Sequence, residues 1–126
     1  MINIVKQIKY WQDSAESNIE TAAILIKSGK YTEGMFFCHL SIEKILKALI
    51  VKQTENIPPK SHDLFNLAEI AKIGITEEQS DFMQILMKYQ IEGRYPEYYP
   101  KAPAHDKIND YLYQTKNVLQ CFNKML

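Results

Sequence analysis

The feature that most constrains this chain is the stretch from about residue 32 to 54, which is apolar on nearly every side of a helix. Met35, Phe36, Phe37, Cys38, Leu40, Ile42, Ile45, Leu46, Leu49 and Ile50 cover most of a helical circumference. A helix hydrophobic all round is buried in the middle of its fold, so the rest of the chain must surround it. Residues 3 to 28 supply one such element, with Ile4, Ile8, Trp11, Ala15, Ile19, Ala22 and Ile26 at steps of three or four and Gly29 as the stop.

The remaining elements are also helical. Pro58 and Pro59 break the chain, after which Ser61 is expected to cap a short helix through Ile70, with Asp63 in its first turn, and Gly74 ends that section. Thr76-Glu77-Glu78-Gln79 matches a capping box and opens a helix carrying Phe82, Ile85, Leu86 and Tyr89, whose run ends near Gly93. Residues 91 to 104 hold three of the five prolines and three of the eight tyrosines. They cannot continue a helix and are expected to wrap the bundle surface. A last helix from about His105 to Met125 is expected to bury Ile108, Leu112, Thr115, Leu119 and Phe122, with Tyr111, Val118 and Met125 flanking that stripe. The expected fold class is all-α, an up-and-down four- to five-helix bundle forming one domain over residues 1–126, long enough to bury roughly two thirds of its unfolded surface.

Charge narrows the function classes. Lys plus Arg and Asp plus Glu number 15 each, for a net charge of zero, with 46% hydrophobic and 24% charged residues. This excludes a disordered tail and a generally basic nucleic-acid binder driven by counterion release. No run of about 18 apolar residues occurs, and the N-terminal segment lacks the sections of a signal peptide. Cys38 and Cys121 fall in apolar helical patterns without metal-ligand spacing. They are expected to be reduced core thiols of a cytoplasmic protein with no metal and no cofactor.

Several residues carry candidate chemistry. His39, Glu43 and Lys47 stand four apart with Lys44 beside them, so the few polar groups of the apolar helix share one side. That strip faces water, a partner or a ligand; the plainest expectation is a solvated seam with an ordinary Glu43–Lys47 helix pair. His62, at a helix start, suits either an anion or the loop's own hydrogen bonding. His105 beside Asp106 is explained by capping. Arg94 is the one arginine among the 15 basic residues, and its rigid fork of donors suits phosphate or carboxylate. Tyr95, Tyr98 and Tyr99 are placed either to stack on a base or to cover the bundle. Met83 and Met87 suit an adaptable apolar interface.

Taken together, Trp11 and Asp13, Ser28-Gly29-Lys30-Tyr31, the run from His39 to Ile50, Ser61-His62-Asp63-Leu64 and Arg94-Tyr95-Pro96 resemble the HEPN domain family (higher eukaryotes and prokaryotes nucleotide-binding). The resemblance covers almost the whole chain in the family's order. It implies a helical homodimer in a family that includes metal-independent ribonucleases and partners of minimal nucleotidyltransferases in toxin–antitoxin pairs, with a nucleotide or RNA as ligand. Carried onto this sequence, it makes Glu43, Lys47, His62, Arg94 and Tyr95 the ligand-binding candidates, and Arg94, His62 and His105 the catalytic ones. One departure matters. The family's ribonucleases carry a His after four to six residues beyond the Arg, whereas ten residues, three of them prolines, separate Arg94 from His105. The expectation is therefore a non-catalytic nucleotide- or partner-binding module, with a ribonuclease toxin using Arg94 with His62 or His105 as the alternative.

Overall fold

A computed structural model describes residues 2–126, which form five α-helices and, among the described residues, no strand. The first, α1 (Ile4–Lys27), opens on Asn3, whose side chain accepts the Lys6 N–H. It closes at Gly29, whose φ of +84° is the left-handed conformation a Cβ would oppose. The chain reverses at once into α2 (Tyr31–Thr54), which ends on Glu55 in the same left-handed region. The α1–α2 hairpin is the largest interface in the molecule. Gly34 makes its close approach possible: a Cβ there would lie 2.6 Å from Ile26 Cγ1.

The other helices enclose α2, as its all-round apolarity requires. Both α3 (Leu64–Ile70) and α4 (Glu77–Met87) pack on α2, and α5 (His105–Asn123) packs on α2, along one edge of α1 and against α4, where Tyr111 meets Phe82. The core is continuous, with Met35, Ile42 and Leu46 of α2 meeting Leu64, Leu67, Met83, Leu86, Ile108 and Phe122 from the surrounding helices. Among the described residues, no helix is long and apolar enough to cross a membrane.

The structure adjusts several local expectations. The short third helix begins at Leu64, because the Asp63 carboxylate caps it by accepting the Phe65 and Asn66 N–H groups at 2.9 and 3.3 Å. Ser61 Oγ instead accepts the Asp63 N–H just ahead of the helix. The capping box at Thr76 and Gln79 forms in full, but α4 stops at Met87 and Tyr89 reaches the core from a following turn. On α5 the buried stripe includes Val118 and leaves Leu112 half-buried, since the helix faces α2 more than α1. Met83 is fully buried, and the half-buried Met87 accepts the Leu64 N–H, so both serve the interior rather than an exposed interface. Both cysteines are free thiols. Burial pushes the Cys38 thiol up to about 11, whereas Cys121 is only partly buried and takes the Gln79 amide on its sulfur.

The segment 91–104 follows the bundle at only a few points. Ile91 is buried and Tyr89 Oη donates to the Lys101 carbonyl, but a single 3-10 turn at Pro96–Tyr98 lifts the chain between them. Tyr95 and Tyr98 are therefore 70% and 68% exposed, and of the three tyrosines only Tyr99 packs inward.

Candidate functional site: a buried carboxylate–histidine cluster beside a cationic groove

The polar strip of α2 is not a solvated seam. His39, Glu43 and Lys47 are 0%, 1% and 5% exposed, because α1 and the segment before α3 close over them. Burial of charge demands pairing, and the pairing is present. Lys47 Nζ donates to Glu43 Oε2 at 3.2 Å, and His62 Nδ1 donates to Glu43 Oε1 at 3.0 Å. Trp11 of α1 lies against the cluster, its ring centroid 5.4 Å from Lys47 Nζ and 5.2 Å from Lys44 Nζ. These are distances at which an aromatic face attracts a cation.

The hydrogen bonds fix which ring nitrogens carry protons. His39 Nε2 lies 3.0 Å from the His62 carbonyl, which can only accept, so Nε2 holds the proton. Desolvation keeps the His39 pKa below its ordinary value, outweighing the upward pull of Glu43 and the His62 carbonyl. Its Nδ1 is consequently a bare lone pair, without a hydrogen-bond partner and 3.8 Å from Glu43 Oε1. For His62 the assignment is the reverse. Glu43 requires the proton on Nδ1, which leaves Nε2 on the outer side of a ring whose side chain is 45% exposed. A buried carboxylate orienting an accessible imidazole is the arrangement that general acid–base chemistry uses.

Beyond His62 lies the 91–99 segment. His62 Nε2 is 3.5 Å from Glu92 Oε2, and Glu92 also lines a groove of about 560 Å³ between α2 and this segment. Phe36, Phe37, Leu40 and Tyr99 form its apolar part, and Lys44 and Arg94 supply two cations opposed by Glu33 and Glu92. Arg94 is exposed and forms no ion pair among the described residues.

Of the ligand-binding candidates, Glu43, Lys47 and His62 thus converge, and Arg94 borders the adjacent groove. Lys47 is committed to Glu43, and Lys44, which shares the Trp11 ring with it but has no ion pair among the described residues, takes the place in the groove expected of Lys47. Tyr95 projects away, and Tyr99 lines the groove instead. His105 is elsewhere: its Nδ1 shares a 2.6 Å hydrogen bond with Tyr31 Oη in a separate cleft of about 410 Å³ lined by Lys27 and Leu112. Capping does not account for it, since α5 starts on Ala104 without a side-chain cap. Another groove of about 490 Å³, between α1 and α5, is spanned by a Gln12–Asn123 hydrogen bond and contains neither histidine nor arginine.

Three residues of this arrangement, His39, Lys44 and Glu92, lie outside the ligand-binding candidates Glu43, Lys47, His62, Arg94 and Tyr95. His39 and Lys44 were visible in the four-residue spacing of the polar strip. Glu92 had no periodic signal, because its role depends on where the loop falls against His62.

Fold and geometry together define a small all-helical bundle protein. The chain belongs to the HEPN domain family, whose model matches residues 8–125. No curated protein and no solved structure gives a significant match.

Proposed function

We propose that this chain is a nucleotide-binding HEPN module whose ligand lies in the groove between α2 and the 91–99 segment. The observation that supports this best is that two cations without an ion pair among the described residues, Lys44 and Arg94, share a groove with the aromatic wall of Phe36, Phe37 and Tyr99. A guanidinium fork and an ammonium suit phosphate oxygens, and aromatic faces suit a base. Zero net charge favours a small ligand over a long nucleic-acid backbone. A homodimer and a minimal nucleotidyltransferase partner in a toxin–antitoxin-type pair follow from the family resemblance, and the outward-facing Tyr95 and Tyr98 offer such a partner aromatic surface next to Arg94. Calorimetry with a panel of nucleoside mono-, di- and triphosphates tests the binding. Arg94→Ala and Lys44→Ala are each expected to weaken the best ligand about tenfold or more, whereas absence of heat and of thermal shift across the panel sinks the reading.

A second reading rests on the Glu43–His62 geometry: a metal-independent ribonuclease in which His62 exchanges the proton and Arg94 neutralises the phosphorane charge. His105 drops out of it, being bound to Tyr31 in another cleft. RNA cleavage and growth arrest on expression are expected to vanish in both His62→Ala and Arg94→Ala. Cleavage that survives both substitutions removes this mechanism.

A further inference from the structure

One carboxylate belongs to both parts of the site. Glu92 contacts His62 Nε2 at 3.5 Å and lines the groove that holds Lys44 and Arg94. We infer that His62 is a proton switch for the groove: a proton on Nε2 holds Glu92 and strengthens binding of a phosphate-bearing ligand. This rests on the proposed binding site and adds its regulation.

Three observations support the switch. First, Glu43 fixes the titrating atom. Because it occupies the Nδ1 proton, any further proton enters at Nε2, facing Glu92. Second, the exchange is electrostatically one-sided. Neutral His62 turns a lone pair toward the Glu92 carboxylate, which gains nothing by staying and is free to approach the groove cations and compete with an anion. Protonated His62 donates to Glu92 and neutralises it. Third, the groove is balanced, with Lys44 and Arg94 against Glu33 and Glu92, so masking one carboxylate changes the sign of its field from neutral to positive.

The other groups around His62 do not supply a competing switch. From α2, Glu43 pairs with Lys47 and accepts from His62 Nδ1, so it holds the ring on the side away from Glu92, and the buried His39, its Nδ1 3.8 Å from Glu43 Oε1, bonds to His62 through the backbone carbonyl. Asp63, next in the chain, has its carboxylate on the Phe65 and Asn66 N–H groups. From the 91–99 segment, Glu92 is the charged group in contact. Linkage makes the effect reciprocal: acidification tightens the ligand, and the ligand promotes proton uptake.

The test uses a phosphodiester dinucleotide, adenylyl-adenosine, whose charge is constant between about pH 5.5 and 8, so that any pH dependence belongs to the protein. Wild-type affinity is expected to rise about three- to tenfold from pH 8 to pH 6, with circular dichroism confirming that the fold persists. His62→Gln and Glu92→Gln are each expected to abolish that dependence, the second by giving tight binding at both pH values. Equal wild-type affinity at the two pH values overturns the switch while leaving the binding site standing. If the dinucleotide does not bind at all, the binding proposal fails for this probe, and the ligand-free protein decides the switch. Amide resonances of Glu92, Gly93 and Arg94 that move between pH 8 and pH 6 in wild type, but not in His62→Gln, support it. Resonances that stay still overturn it.

Discussion

The two sides of the candidate site are opposites in construction. On α2, Glu43, Lys47 and His39 are sealed in the interior, and the two charged groups have their counter-charges within hydrogen-bond distance. Across the groove, Arg94 and Tyr95 stand exposed on a proline-rich segment, and among the described residues the guanidinium has no ion-pair partner. The buried side is a scaffold whose charges are already spent on one another. The exposed side keeps its charge available, which is the condition for meeting a ligand. His62 joins them, one nitrogen on the buried carboxylate and the other facing the loop.

This contrast predicts that substitutions on the two sides fail differently. The largest effect is expected from Glu43→Ala, which leaves Lys47 as an uncompensated buried cation and should cost about 3–5 kcal/mol in urea unfolding. A loss below about 1 kcal/mol would mean that the cluster is hydrated and the contrast false. Next comes thiol chemistry. The rise of the Cys38 pKa from 9.0 to about 11 leaves roughly a hundredfold less thiolate at neutral pH than an ordinary cysteine has, so a maleimide should label Cys121 first and Cys38 only on unfolding. Equal labelling rates in the native state would contradict a closed α2 face.

A smaller effect concerns acid. Folded His39 is held neutral by burial, while the unfolded chain protonates it below its ordinary value of 6.5. The unfolded state then binds more protons, so this contribution to stability is complete above pH 6.5 and is lost as pH falls below it, by at most about 1.4 kcal/mol per pH unit. His39→Gln should flatten that part of the stability profile, and an unchanged slope would refute the assignment. The smallest effect belongs to the exposed side: Arg94→Ala should change stability by less than about 0.5 kcal/mol while impairing ligand binding. A large stability loss there would show that the guanidinium is structural.

Much of the architecture was legible in residue spacing. The apolar circumference of residues 32–54 required a central helix, the three- and four-residue steps of Ile4 to Ile26 required a partner for it, and Thr76 with Gln79 marked a helix start that forms as written. Local signals were weaker where two residues competed for one role. Ser61 and Asp63 both suit a cap, and the choice fell to Asp63 because its carboxylate reaches the Phe65 and Asn66 N–H groups. Met83 shows the limit of composition, since a flexible side chain serves an interface or a core equally well and burial alone distinguishes them.

The site divides along the same line. The i, i+4 spacing placed His39, Glu43 and Lys47 on one helix face, a matter of helical geometry that sequence by itself determines. Whether that face met water or the interior depended on what α1 and the segment before α3 laid over it. So did the choice between Lys44 and Lys47 as the groove cation, and between His62 and His105 as the histidine that meets the 91–99 segment, through Glu92. Helical periodicity is a local property of the backbone, whereas burial and the approach of Glu92 to His62 arise from contacts between residues far apart in the chain. The sequence determined which groups stand together on each helix; the tertiary structure decided which were sealed and which were left open.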